Sequence, residues 1–295
     1  MASTFAVFGD IHGRISLMLV LARRWEVDSG HTLTGVLQVG DMGAFPDPTR
    51  LDAATARHAR HDPDELGYSQ YRAGCDEGAA LLSGSTWPVV WVRGNHEDED
   101  HLRTFASPTA IDPWQRLWFV PDGTTFTVNG VRIGAMGGKP ASRRPSRPPC
   151  PHSISTSLAQ NAYPQKDIDV LLSHAGPREI LRHGSRQISA LCARIRPRVH
   201  LFGHHHIRHG PTASAHGVQH IGLDHLGFVR GRLQRGCWGI LHLGDDGSIR
   251  WTWGDTLHWT PKIKPHTYRD EIPHLAASPR PFSPEAPTTT PRAVD

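Results

Sequence analysis

Five short polar clusters in this chain carry the residue types that bind divalent metal ions. They are Gly9-Asp10-Ile11-His12-Gly13, Gly40-Asp41-Met42-Gly43, Arg93-Gly94-Asn95-His96-Glu97, Ser173-His174-Ala175-Gly176-Pro177 and Gly203-His204-His205-His206. Carboxylate, carboxamide and imidazole are hard or borderline donors, and a mixture of them suits Mn, Fe, Zn or Ni. Each cluster alone has a plainer reading. Asp10 and His12 could be a cap and a surface histidine, Asp41 a turn residue between glycines, and Asn95 a helix cap for the acidic stretch 97–100. His174 could be a turn histidine, and His204 to His206 an accident in a chain with 21 histidines.

The elements that must position these clusters argue against coincidence. Each cluster follows a short β-rich run: Phe5 to Phe8, Gly35 to Val39, Val89 to Val92, Val170 to Leu172 and Val199 to Phe202. Helix-like segments lie between them, from about Arg14 to Trp25, Leu66 to Leu82 and Ser185 to Ile195. In α/β sheets, sites gather beyond the carboxyl ends of the strands, so the clusters are expected to converge. Phe126 to Ile133 reads as a hairpin turning on Asn129-Gly130. Phe228 to Leu233, Trp238 to Leu243 and Ile249 to Trp253 read as antiparallel strands, with a turn at Asp246-Gly247. The expected fold is α/β: two mixed β-sheets packed as a sandwich with helices outside, in four α/β/β/α layers. Residues 137–166, with Gly137-Gly138 and several prolines, read as a long loop that is functional or mobile. From residue 263 the chain turns rich in Pro, Thr and Ser, which gives a catalytic domain over 1–262 and a disordered tail over 263–295.

Taken in order, the patterns Gly-Asp-x-His-Gly, Gly-Asp-x-Gly, Gly-Asn-His-Glu, Ser-His-Ala-Gly and Gly-His-x-His closely resemble the calcineurin-like metallophosphoesterase family over residues 5–206. The resemblance implies a hydrolase of phosphomonoesters or phosphodiesters with two divalent ions. One ion would take Asp10, His12, Asp41 and His206, and the other Asp41, Asn95, His174 and His204, with Asp41 as the bridge. A pair of ions about 3.5 to 4 Å apart can clamp both oxygens of an in-line displacement and acidify a bridging water or hydroxide nucleophile. His205 is expected to face away from its two neighbours on an extended segment, and Gly13, Gly43, Gly94 and Gly203 to let backbone pass close to the ions. His96 matches the family's catalytic histidine and would protonate or hydrogen-bond the leaving oxygen. Arg93 is a catalytic candidate within a motif, and Arg178 and Arg208 are candidates for binding substrate phosphate. The second motif departs from the protein Ser/Thr phosphatase branch: Ala44 and Phe45 stand where that branch carries an Asp and an Arg, which disfavours it. Asp47, Glu97 and Asp98 are then the candidates to support His96.

Composition bounds the alternatives. Of 295 residues, 38% are hydrophobic and 20% charged, the profile of a globular protein. The net charge is +4, and seven arginines with one acid, Glu179, fall between Arg178 and Gly210. Four more basic residues, Lys139, Arg143, Arg144 and Arg147, sit in the long loop. A phosphate-bearing partner would be drawn there, which keeps a nuclease open, although no nucleic-acid module is recognisable. A binding scaffold that lost its chemistry is the other alternative, and it would be expected to lack a ligand or the catalytic histidine. The four cysteines are widely spaced, no apolar run is long enough to span a membrane, and the start lacks a secretory pattern, so a cytoplasmic location is expected.

Overall fold

The computed structural model describes residues 2–141, 150–165 and 167–279. A seven-stranded sheet has the order β15-β14-β1-β2-β3-β5-β4. Its strands are β1 (Ser3–Phe8), β2 (Gly35–Gln38), β3 (Val89–Trp91), β4 (Thr109–Ala110), β5 (Leu117–Phe119), β14 (Trp238–Leu243) and β15 (Ile249–Trp253). A six-stranded sheet has the order β10-β11-β9-β8-β7-β6. It comprises β6 (Thr125–Val128), β7 (Val131–Met136), β8 (Val170–Ser173), β9 (Val199–Phe202), β10 (His209–Ala213) and β11 (Gln219–Gly222). The two sheets repeat one plan: four parallel strands, β1-β2-β3-β5 and β7-β8-β9-β11, with antiparallel strands added at the edges.

Side-chain alternation builds the layers. Phe5 and Val7 of β1 face the other sheet, in a buried layer with Leu37, Val90, Leu172, Val199 and Leu201. Ala6 and Phe8 face outward onto α1 (Ile15–Ser29), α3 (Gly67–Ala73), α4 (Asp76–Leu82) and α8 (Glu271–Ala277). A smaller layer under α6 (Thr156–Asn161) and α7 (Arg186–Ile195) covers the outer face of the second sheet. Strands buried on both faces read as continuous apolar runs, which is why their sequences are so plain. The short helices α2 (Ala53–His58) and α5 (Glu99–Leu102) follow the loops after β2 and β3; α5 adds Leu102 to the outer layer, and α2 adds no residue to it.

The two-sheet α/β architecture and the hairpin on Asn129-Gly130 match expectation; both turn residues adopt positive φ, as a two-residue hairpin turn requires. Three details differ. The helix expected over Leu66 to Leu82 breaks at Gly74, whose φ of 89° stops α3, and Cys75 caps the start of α4. Phe228 to Leu233 folds as a separate ribbon of β12 (Phe228–Val229) and β13 (Arg232–Leu233), outside both large sheets. The tail expected from residue 263 is packed as far as residue 279: Ile263, Tyr268, Ile272 and Leu275 are buried in the outer layer beside α1. Pro and Thr dominate only further on, and residues 280–295 lie outside the described residues.

Candidate metal centre

The loops after β1 and β2 are stitched together before any ligand is considered. The Ile11 and His12 N–H groups donate to the Asp41 carbonyl, and Gly13 N–H donates to that of Met42. Buried Gln38 donates to the carbonyls of Gly9 and Gly40 and accepts the Gly40 N–H. Asp41 Oδ1 then accepts the N–H groups of Asn95 and His96 at 2.6 and 2.8 Å, which ties the loop after β3 to the loop after β2. A Cβ at Gly94 would strike the Asp41 carboxylate, and one at Gly203 the Asp10 carboxylate, so only glycine admits these approaches. His12, Asp41, His204 and His206 all hold positive φ, between 45° and 64°, a conformation that costs energy in non-glycine residues and clusters at functional sites.

Asp10 and Asp41 lie at the middle of this knot. His206 Nε2 is 3.0 Å from Asp10 Oδ2, His12 Nε2 is 3.9 Å from Asp41 Oδ2, and His174 Nε2 is 3.5 Å from Asp41 Oδ1. The ligand atoms of Asp10, His12 and His206 lie within 4.8 Å of one another, as do those of Asp10, Asp41 and His174. His174 Nδ1 lies 3.0 Å from the Val39 carbonyl, which can only accept, so the ring carries its proton on Nδ1. Its Nε2 lone pair is buried without a hydrogen-bond partner, and so is Asn95 Oδ1. The His204 ring packs 4.9 Å from that of His174 while its N–H donates to Asp10 Oδ1. Orphaned buried acceptors beside buried carboxylates are what a cation would satisfy, so the residues present fit divalent metal ions.

The electrostatics point the same way. Burial alone would raise the carboxyls of Asp10 and Asp41, yet His174 and the other nearby imidazoles hold both below the usual range. Burial lowers His12 to about 4 and His204 to about 3, which keeps their lone pairs free at neutral pH. Glu97 accepts the N–H groups of Met42, Ala44 and Gly94 and so braces two of the loops. Burial, with the negative charge of Asp41, pushes its carboxyl up to about 8. Three carboxyl groups crowded this closely lack positive charge.

His96 lies at the rim, its ring 5.4 Å from that of His12. Its Nδ1 is 2.8 Å from Asp52 Oδ2, and this bond raises its pKa to about 9. Asp52 is thus the support for His96, in place of the three residues expected. Asp47 caps the turn Pro48–Arg50, Glu97 braces the loops, and Asp98 is held by Arg50 at 2.6 and 2.8 Å. The sequence signal for Asp52 was slight, because it also looks like, and is, the cap of α2.

The arginines divide. Arg93 is buried and its guanidinium is held by Asp122, Glu99 and the Ser153 carbonyl, so its donors are spent on structure and the catalytic assignment does not hold. Arg208 stacks 4.7 Å over Trp253 and pairs with Asp255 at 3.5 Å. Arg178, four residues after His174, is half-buried and its side chain has no ion pair among the described residues. Arg194 caps the carbonyls of Ala159 and Ala162, and Arg198 pairs with Asp169, so part of the arginine-rich segment is structural. The long loop contains α6 and a bridge between Lys139 and Ser153, while Arg143, Arg144 and Arg147 lie outside the described residues. His205 does not lie on the extended segment expected: its Nε2 accepts the Gly176 N–H, and its neighbours His204 and His206 are left-handed. A sixth strand end went unread. Asp224 and His225 follow β11, the His225 ring lies 4.9 Å from that of His206, and Asp224 Oδ1 holds His225 Nδ1 at 2.9 Å.

Two mixed sheets bring Asp and His side chains from several strand ends onto one buried carboxylate pair, with Asn95 tied to Asp41 through its backbone. The chain belongs to the calcineurin-like phosphoesterase family, whose model matches residues 3–208, and is therefore a phosphoric ester hydrolase. Among solved structures, it resembles the TT1561 protein of Thermus thermophilus at 14% identity and a TM-score of 0.50, over 86% of this chain and 100% of that one. A phosphatase from Mycoplasma pneumoniae is 10% identical with a TM-score of 0.45, over 89% of this chain and 99% of that one. Among curated proteins, none matches significantly. The likeness to TT1561 shows the fold alone. No helix among the described residues is long and apolar enough to cross a membrane.

Proposed function

We propose that the chain hydrolyses a phosphomonoester or phosphodiester at a two-metal centre held by Asp10, His12, Asp41, Asn95, His174, His204 and His206. The observation that carries this reading is the Asp10–Asp41 pair, buried and ringed by imidazoles, with His174 Nε2 and Asn95 Oδ1 left without partners. Divalent ions bound there supply Lewis acidity toward a phosphoryl oxygen and lower the pKa of water. The chain's own residues supply the rest. Asp41 is held by two backbone N–H groups and lies 3.9 Å from His12 Nε2 and 3.5 Å from His174 Nε2, which supports its sharing between the two proposed ligand groups. His96 keeps a proton at neutral pH, and Asp52 takes its Nδ1 side, which leaves Nε2–H for the leaving oxygen. Arg178 and Lys139, both half-buried, are the cations proposed to meet substrate phosphate. The four cysteines are unpaired, which suits a cytoplasmic setting.

Metal analysis of the purified protein, combined with turnover of paired chromogenic mono- and diesters, tests the proposal. Expected are two equivalents at this centre, loss of turnover on chelation and recovery with Mn, Fe, Zn or Ni. Undiminished turnover after complete metal removal would overturn it.

A further inference from the structure

A second cluster of ligand types lies away from this centre, beneath α7. β9 and β11 run parallel with His220 opposite His200. Val199, Leu201, Ile221 and Leu223 face the layer between the sheets, so alternation turns both histidines outward, under Cys192 of α7. His200 and His220 are 0% exposed and Cys192 is 1% exposed.

Proton bookkeeping at the two rings does not close. The Ser173 hydroxyl lies 2.7 Å from the Ala175 carbonyl, which can only accept, and 2.7 Å from His200 Nε2. Its single proton therefore goes to Ala175, and His200 Nε2 must be the N–H that donates to Ser173. That leaves a lone pair on His200 Nδ1, which faces His220 Nδ1 at 2.9 Å. On its far side, His220 Nε2 is 3.5 Å from the Glu179 carboxylate and has no hydrogen-bond partner. A proton on Nε2 suits Glu179 but sets two lone pairs against each other at 2.9 Å. A proton on Nδ1 repairs that contact and turns a buried lone pair toward a carboxylate. A doubly protonated His220 would satisfy both sides, but it would place a full positive charge on a ring with no exposed surface.

A metal ion resolves the conflict. We infer that Cys192, His200 and His220 form a separate site for a thiophilic divalent ion of the zinc class, pinning α7 to β9 and β11. The three donor atoms lie within 4.8 Å of one another. Zinc–nitrogen bonds of about 2.0 Å at a tetrahedral angle place two donors about 3.3 Å apart, so the rings need separate only slightly. Both imidazoles would bind through Nδ1 while their Nε2–H groups point at Ser173 and Glu179, the outer partners that orient metal-binding histidines. Cys192 is 1% exposed beneath α7, where a thiolate needs a cation beside it. The donors are sulfur and nitrogen, whereas the Asp10–Asp41 centre offers oxygen and nitrogen.

That contrast supplies the test. The full chain is stripped of metal and reloaded with Co2+, and the near-ultraviolet is scanned for thiolate-to-cobalt charge transfer, which the sulfur-free centre at Asp41 cannot produce. The expected result is a band from one thiolate per chain, abolished in Cys192→Ser together with one metal equivalent, and retained in Cys75→Ser and in Asp41→Ala. X-ray absorption of the zinc-loaded wild type needs no variant and should show sulfur at about 2.3 Å, one per chain shared over all the zinc bound. A cobalt-loaded chain without the band, a band that survives Cys192→Ser, or a zinc spectrum with no sulfur would overturn the site and leave the two rings sharing a proton. Each result stands whether or not the Asp41 centre fills.

Discussion

Asp10, Asp41 and His174 follow directly on central strands and are almost wholly buried, whereas the His96 side chain is 31% exposed and leans on Asp52 from a six-residue helix outside both sheets. The buried group is determined many times over. Gln38, Glu97, the tight approach of Gly94 and three interlocked loops all hold Asp41, and Gly203 packs as closely on Asp10. The rim depends on one hydrogen bond and one cap. The loop carrying Asp52 can therefore change without disturbing the strand ends that carry the candidate ligands.

The strongest way to break this contrast is at Asp41. Asp41→Ala should remove both metal equivalents from the Asp41 centre and reduce turnover to background, as read by metal analysis beside a chromogenic assay; retention of both ions would show that Asp41 is not shared. Next, His96→Ala should keep those ions yet cut turnover by roughly 10² to 10⁴, the usual worth of general acid–base catalysis. The loss should be greater for an alkyl leaving group than for a nitrophenolate, and equal losses would mean that His96 positions phosphate instead.

Asp52→Asn sharpens the rim further. The hydrogen bond from Asp52 holds His96 at about 9, so a proton-donating His96 loses activity as pH rises through that value. Without it the pKa falls toward the ordinary value of about 6.5, and the alkaline limb should move to lower pH, with about tenfold or more activity lost at pH 8. The pair's contribution to folding is lost as pH rises from about 6.5 through about 9, where His96 gives up its proton, and also as pH falls below 3.8 through about 2, where Asp52 takes one. A limb that stays in place in the Asn variant would separate His96 from proton transfer. The smallest effect belongs to Glu97→Gln, which keeps one acceptor oxygen but turns an amide toward an N–H that needs one. It should cost about 1 to 3 kcal/mol in denaturant unfolding, with the metal ligands unchanged in identity.

The same contrast governs what could be read from sequence. Ligand loops are local: Asp10 and His12, or His204 and His206, sit close together in the chain and announce themselves beside a strand. Asp52 is 44 residues from His96, and its type and neighbours already suffice to explain it as a helix cap. Arg93 misled because adjacency to Asn95 says nothing about where a long side chain goes, and Asp122 and Glu99 claim it. His200 and His220 were silent because they stand in strands spelled like their neighbours, and their meeting depends on the parallel register of β9 and β11. The packed stretch after residue 263 carries four buried apolar side chains spread over 13 residues, Ile263, Tyr268, Ile272 and Leu275, too thin a pattern to outweigh its prolines and charges.

That stretch has a practical consequence for anyone who shortens the protein. Arg24 of α1 grips Glu271, Arg23 holds the carbonyls of Ser278 and Pro279, and Arg269 and Tyr268 clasp Asp64. Ending the chain at 262 would peel this belt away. Each lost aliphatic or aromatic anchor is worth about 1.5 to 3 kcal/mol, so the remnant would expose a greasy flank along α1 and stick to its own copies, whereas trimming after 279 leaves the belt fastened.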